Sequence, residues 1–218
     1  MLAALWSSSA ATEAKSGAIA LKGEADLWRY GVAGMPDPAT NWVTDLQNMG
    51  IRWYQNWQFN ATTGATGFEF YPMALPPWRP ADNCGSAGDA YTITQKILAG
   101  TYPPGTTWLI GNEVGLSADQ SNAQGQWTPD VYAARYYNCY RLLKGIYPNN
   151  PTIASYNFQV AFGAILPNCS GCYTDGAIDG TDWVRKVRQS YYNQFGQTMI
   201  VDVYNVHLYG PPTDQGYQ

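Results

Sequence analysis

Charge is scarce in this sequence. Of 218 residues only 13% are Asp, Glu, Lys or Arg, and the formal net charge is −4. No Lys/Arg cluster exists beyond Arg185-Lys186-Val187-Arg188, which falls on a predicted helix face. Phosphate backbones demand a concentrated positive surface, so nucleic acid is excluded as a partner. Long apolar runs are missing as well: none approaches the roughly 18 residues of a membrane span. Residues 1–24 are Ala/Ser-rich with a short apolar start, but they lack the basic n-region and apolar h-region of a secretory signal. Residues 1–25 are expected to form a mobile tail. A Gly-rich phosphate loop is also absent, because Gly31-Val32-Ala33-Gly34 runs into Met35-Pro36-Asp37 without a third glycine. Histidine occurs once, as His207, and glutamate four times, as Glu13, Glu24, Glu69 and Glu113.

Aromatic residues are abundant, with 9 Trp and 17 Tyr. Most serve packing, but a chain this rich in flat rings has some to spare for lining a groove, where the apolar faces of sugars stack. Four cysteines, Cys84, Cys139, Cys169 and Cys172, suit two disulfides in an oxidising compartment, with the pairing left open. Cys169-Ser170-Gly171-Cys172 allows a local bridge; a zinc site would need more than one such pair. Asn60-Ala61-Thr62 and Asn168-Cys169-Ser170 fit the N-glycosylation triplet where the host modifies secreted proteins. No metal or organic cofactor is implied.

The length fits one domain. Short apolar segments alternate with helical patterns, the signature of a parallel α/β fold. Strands are expected at residues 28–34, 51–59, 68–75, 107–112, 152–158 and 199–207. Helices are expected from Asp37-Pro38 to about 49, at 89–99, from Thr128-Pro129 to about 144, and at 181–195. Long loops cover 76–88, 115–127 and 163–180. Six strands at about 30 residues per unit leave an eight-stranded barrel two units short. The expectation is therefore an incomplete (β/α)8 TIM barrel over residues 26–218, with strands seven and eight missing. An open doubly wound sheet is the rival architecture, weakened by the absent phosphate loop.

Chemistry concentrates at Trp108-Leu109-Ile110-Gly111-Asn112-Glu113, an apolar strand ending in an amide and a carboxylate. Barrel enzymes place their chemistry at the C-terminal ends of strands. This segment resembles the strand-four motif of retaining glycoside hydrolases of the A clan. Val203-Tyr204-Asn205-Val206-His207-Leu208-Tyr209-Gly210 is similar to the strand-six His-x-Tyr motif of the same enzymes. Ile51-Arg52-Trp53-Tyr54-Gln55-Asn56-Trp57 and Thr128-Pro129-Asp130-Val131-Tyr132-Ala133 resemble the second strand and the helix after the Asn-Glu motif of the β-glucanase-like catalytic-core group. The resemblance implies that Glu113 is the general acid/base, that Asn112 binds the sugar 2-hydroxyl, and that His207 and Tyr209 line the site. It also implies a nucleophilic glutamate at the end of strand seven, which these 218 residues do not contain: no glutamate follows Glu113.

Around this centre, Arg52, Tyr54, Asn56, Trp57, Trp78 and Trp127 are candidate substrate-binding residues. Each has a plainer reading. Glu113 could be a solvated residue at a loop start, His207 a satisfied core histidine, Arg52 a strand-end ion-pair partner, and each tryptophan simple packing. Glu69, in mid-strand, could in principle supply the second carboxylate. The expected function is a secreted, monomeric glycoside hydrolase acting on β-glucan-like polysaccharide, inactive as this fragment alone. The alternatives are a non-catalytic carbohydrate-binding protein using the same groove and a structural wall protein.

Overall fold

The computed structural model describes residues 31–33, 42–62, 65, 67–74, 84, 89–117 and 127–207. The expected N-terminal tail, the Asp37-Pro38 cap, Trp78 and Tyr209 lie outside these residues. The described elements are β1 (Gly31–Ala33), α1 (Trp42–Asn48), β2 (Trp53–Gln55), β3 (Glu69–Phe70), β4 (Met73–Ala74), α2 (Asp89–Leu98), β5 (Thr107–Ile110), α3 (Pro129–Leu143), α4 (Pro151–Ser155), β6 (Gln159–Ile165), α5 (Gly180–Phe195) and β7 (Val203–Val206).

Every strand pairing is parallel, in the orders β1-β2-β3 and β4-β5-β6-β7. One short stretch links the two sheets. Tyr71 and Met73 donate backbone bonds to Tyr54 and Gln58 on the β2 side, while the carbonyls of Pro72 and Ala74 accept from Leu109 and Gly111 on the β5 side. The expected strand at 68–75 is thus one stave broken into β3 and β4. Spatial order follows chain order throughout, without the reversal that defines a doubly wound sheet. The described residues do not close a ring: β1 and β7 each have one strand neighbour.

The sequence signals explain the helices. Thr128 caps α3 by accepting from the Val131 amide, Pro129 supplies a first-turn residue that needs no N–H, and Arg141 lies in the last turn. From α3, Tyr132, Tyr136, Cys139 and Leu143 recur at helical spacing and are all buried. They pack with Trp108, Ile110, Val160 and Phe162 of the strands and Trp183, Val187 and Tyr191 of α5 in one large core. On the opposite strand face a smaller cluster joins Met73, Leu109 and Ala161, with Tyr71 against it.

One expected element was placed wrongly. Residues 152–158 do not form the expected strand: Pro151–Ser155 is a helix whose N-cap, Asn150, accepts from the Ile153 amide. Asn150-Pro151 is the same cap-plus-proline signal as Thr128-Pro129, and it outweighs the β-branched Thr152 and Ile153. The strand comes later, over Gln159–Ile165, so the expected loop at 163–180 begins three residues inside β6. The cysteines pair as Cys84–Cys139, which ties residue 84 to α3, and as the local bridge Cys169–Cys172.

Candidate active site

The turn after β5 is built to present a side chain. Gly111 has φ of 87° and Gly115 of 83°. A Cβ at Gly111 would stand 2.7 Å from Val114 Cγ1 and 3.3 Å from the Trp127 ring, so the position demands glycine. The Gly111 amide bonds Ala74 O at 2.9 Å and the Val114 amide bonds Ala164 O at 3.0 Å. Between these two anchors stand Asn112 and Glu113. Glu113 has φ of 46°, a left-handed conformation that side chains rarely adopt. Backbone strain of this kind clusters at functional sites.

His207 arrives from the end of β7. Its amide bonds Ile165 O at 2.7 Å, and its Nδ1 lies 3.1 Å from Glu113 Oε1. The two side chains are 21% and 24% exposed, so the contact sits in a partly desolvated place open to solvent on one side. Asn112 Oδ1 is buried with no hydrogen-bond partner. Native structures satisfy nearly all such atoms, so the Asn112 side chain stands out beside Glu113. Behind the turn, burial pushes the Tyr173 hydroxyl up to about 12, a backbone hydrogen bond from Leu166 opposes this, and the negative charges of Glu113 and Asp179 add to it.

Neighbouring loops brace the turn. Leu116 bridges Tyr173, Ser117 N bonds Cys172 O at 2.6 Å, and Thr174 N bonds Gly115 O at 2.8 Å. A Cβ at Gly115 would strike the Trp183 ring at 2.1 Å. The loop carrying the Cys169–Cys172 bridge thus packs directly against the residues that follow Glu113.

The other expected site residues divide. Asn56 and Trp57 follow β2 at the same end of the sheet as Glu113. Asn56 Nδ2 donates to Asn60 O and Thr62 Oγ1, which shapes the loop. Trp57 is 43% exposed and has φ of 56°, so this strained residue presents its ring to solvent. Two inter-strand spacings separate β2 from β5, about 10 Å between strand axes. Tyr54 is buried against Phe70, with its hydroxyl accepting from Thr62 N. Arg52 precedes β2 and so sits at the opposite strand end. Trp127 is buried over Gly111 with the Arg135 guanidinium 4.5 Å from its ring centroid. It packs beneath the turn and offers no open face.

Glu69 has a carboxyl raised by partial burial, and it faces the same side as Tyr71, whose own upward shift has burial first and the charge of Glu69 second as its causes. Ala74 is in register with Ile110. Glu69 lies five residues below Ala74, about 16 Å down the strand, whereas Glu113 lies beyond the other end. Paired glycosidase carboxylates stand about 5–9.5 Å apart, so Glu69 does not complete a pair with Glu113. Two residues behind the turn, Tyr132 and Gly163, were not among the expected site residues. Tyr132 carried a legible signal, a buried-face helical tyrosine, but Gly163 was hidden by the misplaced strand.

No protein-family model and no curated protein matches the chain. Among solved structures it is similar to a GH128 (subgroup II) endo-beta-1,3-glucanase from Sorangium cellulosum, at TM-score 0.50 and 14% identity over 81% of this chain and 59% of that one. It is also similar to a GH128 (subgroup III) curdlan-specific exo-beta-1,3-glucanase from Blastomyces gilchristii, solved with glucose, at TM-score 0.50 and 16% identity over 84% of this chain and 62% of that one. At such identities the likeness is one of fold. The chain spans about three fifths of the length of these structures.

Proposed function

We propose that this chain is part of a glycoside hydrolase that cleaves a β-1,3-glucan-like polysaccharide with retention, using Glu113 as general acid/base. The observation that carries the reading is the 3.1 Å contact between Glu113 and His207, made at the C-terminal ends of parallel strands beside the orphaned Asn112 oxygen. In the first half-reaction Glu113 gives its proton to the departing glycosidic oxygen, and in the second it takes one from water. A His207 Nδ1–H that donates to Oε1 fixes the carboxyl's orientation. We assign Asn112 to the sugar 2-hydroxyl, a hydrogen bond that strengthens as positive charge develops at the anomeric carbon. Trp57 provides a stacking face for a neighbouring sugar unit.

Retention needs a second carboxylate on the other side of the sugar ring. Glu69 is too far down β3, and we assign the nucleophile to a further βα unit beside β7, in a (β/α)8 arrangement to which these residues contribute six staves. Two observations support that: the apolar Val203, Tyr204 and Val206 of β7 are 38%, 46% and 47% exposed, and the similar glucanases are longer than this chain. Tyr209 lies outside the described residues, and its assignment near that nucleophile rests on the sequence resemblance alone. Two disulfides are compatible with an extracellular setting. The rival, a protein that binds glucan without cleaving it, draws on the same lack of a glutamate after position 113. Hydrolysis of a soluble β-1,3-glucan decides. These 218 residues alone release no reducing sugar, and the reading frame continued through the next strand ending in Glu does, in a manner abolished by Glu113→Gln. Turnover by the extended protein that survives Glu113→Gln refutes the assignment, and binding without turnover supports the rival.

A further inference from the structure

Both partners of the site are tied to three consecutive residues of β6. Gly163 N donates to the Tyr132 hydroxyl at 2.7 Å. Ala164 O accepts from Val114, the residue after Glu113, at 3.0 Å, and Ile165 O accepts from His207 at 2.7 Å. The register between β6 and β7 shifts between Phe162 and Ile165, so this stretch is an irregularity that aims its carbonyls at different neighbours.

Tyr132 belongs to α3 and is fully buried among the rings of Trp127, Phe162 and Trp183. Its hydroxyl also donates to Ile110 O at 2.9 Å. Ile110 ends β5, three residues before Glu113, and is in register with Phe162. One hydroxyl therefore clamps the last rung between β5, which delivers Glu113, and β6, whose Ile165 carbonyl in turn accepts from the His207 amide. No side chain fits at Gly163, where a Cβ would stand 2.5 Å from Ile110 O, 2.6 Å from Val114 Cγ1 and 3.1 Å from the Tyr132 hydroxyl. Burial, more than any other cause, keeps this hydroxyl far above the ordinary tyrosine range, so it remains a neutral donor and acceptor.

The geometry points to Tyr132 as a positioning residue whose hydroxyl holds Glu113 within reach of His207. The functional meaning of this rests on the glycosidase reading above, but the geometric claim does not. Tyr132 touches no reacting atom. Its work is to hold the last rung closed against the strain of the left-handed turn that follows. Tyr136, one turn along α3, is the natural control. It is as deeply buried, and its hydroxyl proton is shared between Val160 O at 3.2 Å, near the start of β6, and Ile200 O at 3.1 Å, in the segment before β7, at the end of the strands away from Glu113.

The chain has one histidine, so its ring resonances report the site without assignment ambiguity. The test compares wild type, Glu113→Gln, Tyr132→Phe and Tyr136→Phe by ring NMR, amide exchange and thermal melting. Tyr132→Phe should move the His207 resonances toward their Glu113→Gln positions and speed Val114 amide exchange roughly five- to tenfold. Tyr136→Phe should lower the melting temperature comparably and change neither signal. Unchanged signals in Tyr132→Phe, or equal changes in both phenylalanine variants, overturn the inference. Should Tyr132→Phe not fold, the wild type decides: Gly163 must exchange as slowly as Leu109, and exchange at loop rates overturns the claim. If a β-1,3-glucan oligosaccharide leaves the wild-type His207 signal unmoved, the functional reading fails while the positioning claim stands.

Discussion

Glu113 is held where glycine would be more comfortable, and that has a measurable consequence. Its φ of 46° lies in the left-handed region, where a Cβ costs roughly 1–2 kcal/mol. The contact with His207 is partly exposed, and exposed ion pairs contribute roughly 0–1 kcal/mol. Glu113→Ala loses the contact and keeps the strain, so it should be neutral or slightly destabilising. Glu113→Gly loses the same contact and sheds the strain, offset in part by the greater freedom of glycine in the unfolded chain. The net expectation is that Glu113→Gly is more stable than Glu113→Ala by about 1 kcal/mol, or roughly 2–4 °C in melting temperature for a chain of this size. At an ordinary right-handed position the order reverses, because glycine there costs about 0.5–1 kcal/mol relative to alanine. Urea denaturation of the two variants at neutral pH measures the difference directly. If alanine equals or exceeds glycine, the turn is not strained as described, and the argument that its geometry serves function loses its footing.

Other outcomes follow from the same structure. Cys84 and Cys139 are 55 residues apart, and loop-closure entropy gives their bridge about 4 kcal/mol against about 2 kcal/mol for Cys169–Cys172, which closes a separation of 3; paired Cys→Ser variants compared by denaturant unfolding should rank in that order. Burial first, with neighbouring charge second, pushes Tyr173 and Tyr191 up to about 12, against a backbone hydrogen bond from Leu166 at Tyr173 and the charge of Arg141 at Tyr191. A raised folded-state value leaves stability intact below the unfolded value of about 10 and removes it as pH climbs toward 12, by up to about 1.4 kcal/mol per pH unit for each group. Stability measured between pH 9 and 12 should therefore fall, and Tyr173→Phe should flatten the slope; a slope that Tyr173→Phe leaves unchanged contradicts this.

How much of this was legible in the sequence depends on the range of the interaction. α3 was readable because Thr128 and Pro129 act locally, through a cap and a fixed φ. β5 was readable because Trp108-Leu109-Ile110 is an apolar run cut short by Gly111-Asn112-Glu113. The strand after α3 was not, because the β-branched residues at 152 and 153 have strand propensity while the Asn150-Pro151 cap starts a helix there, and β6 begins seven residues after the expected start. The contact between Glu113 and His207 spans 94 residues, and no local pattern encodes a distance of that kind. Alternation along β2 likewise could not tell that Tyr54 is enclosed while Trp57 turns outward on a left-handed residue. The clamp at Tyr132 depends on a hydroxyl reaching two strands at once, which becomes visible only when β5, β6 and α3 are placed together.

The central claim is that the Asn112–Glu113 turn and His207 together receive a sugar. Titrating a β-1,3-glucan hexasaccharide into the protein while following the His207 ring resonances tests it most directly. The account predicts a saturable shift of those resonances, with affinity weakened roughly tenfold in Asn112→Ala as one buried hydrogen bond to the ligand is lost. Saturable binding that leaves His207 unmoved, or that Asn112→Ala does not weaken, would place the sugar elsewhere and contradict the account.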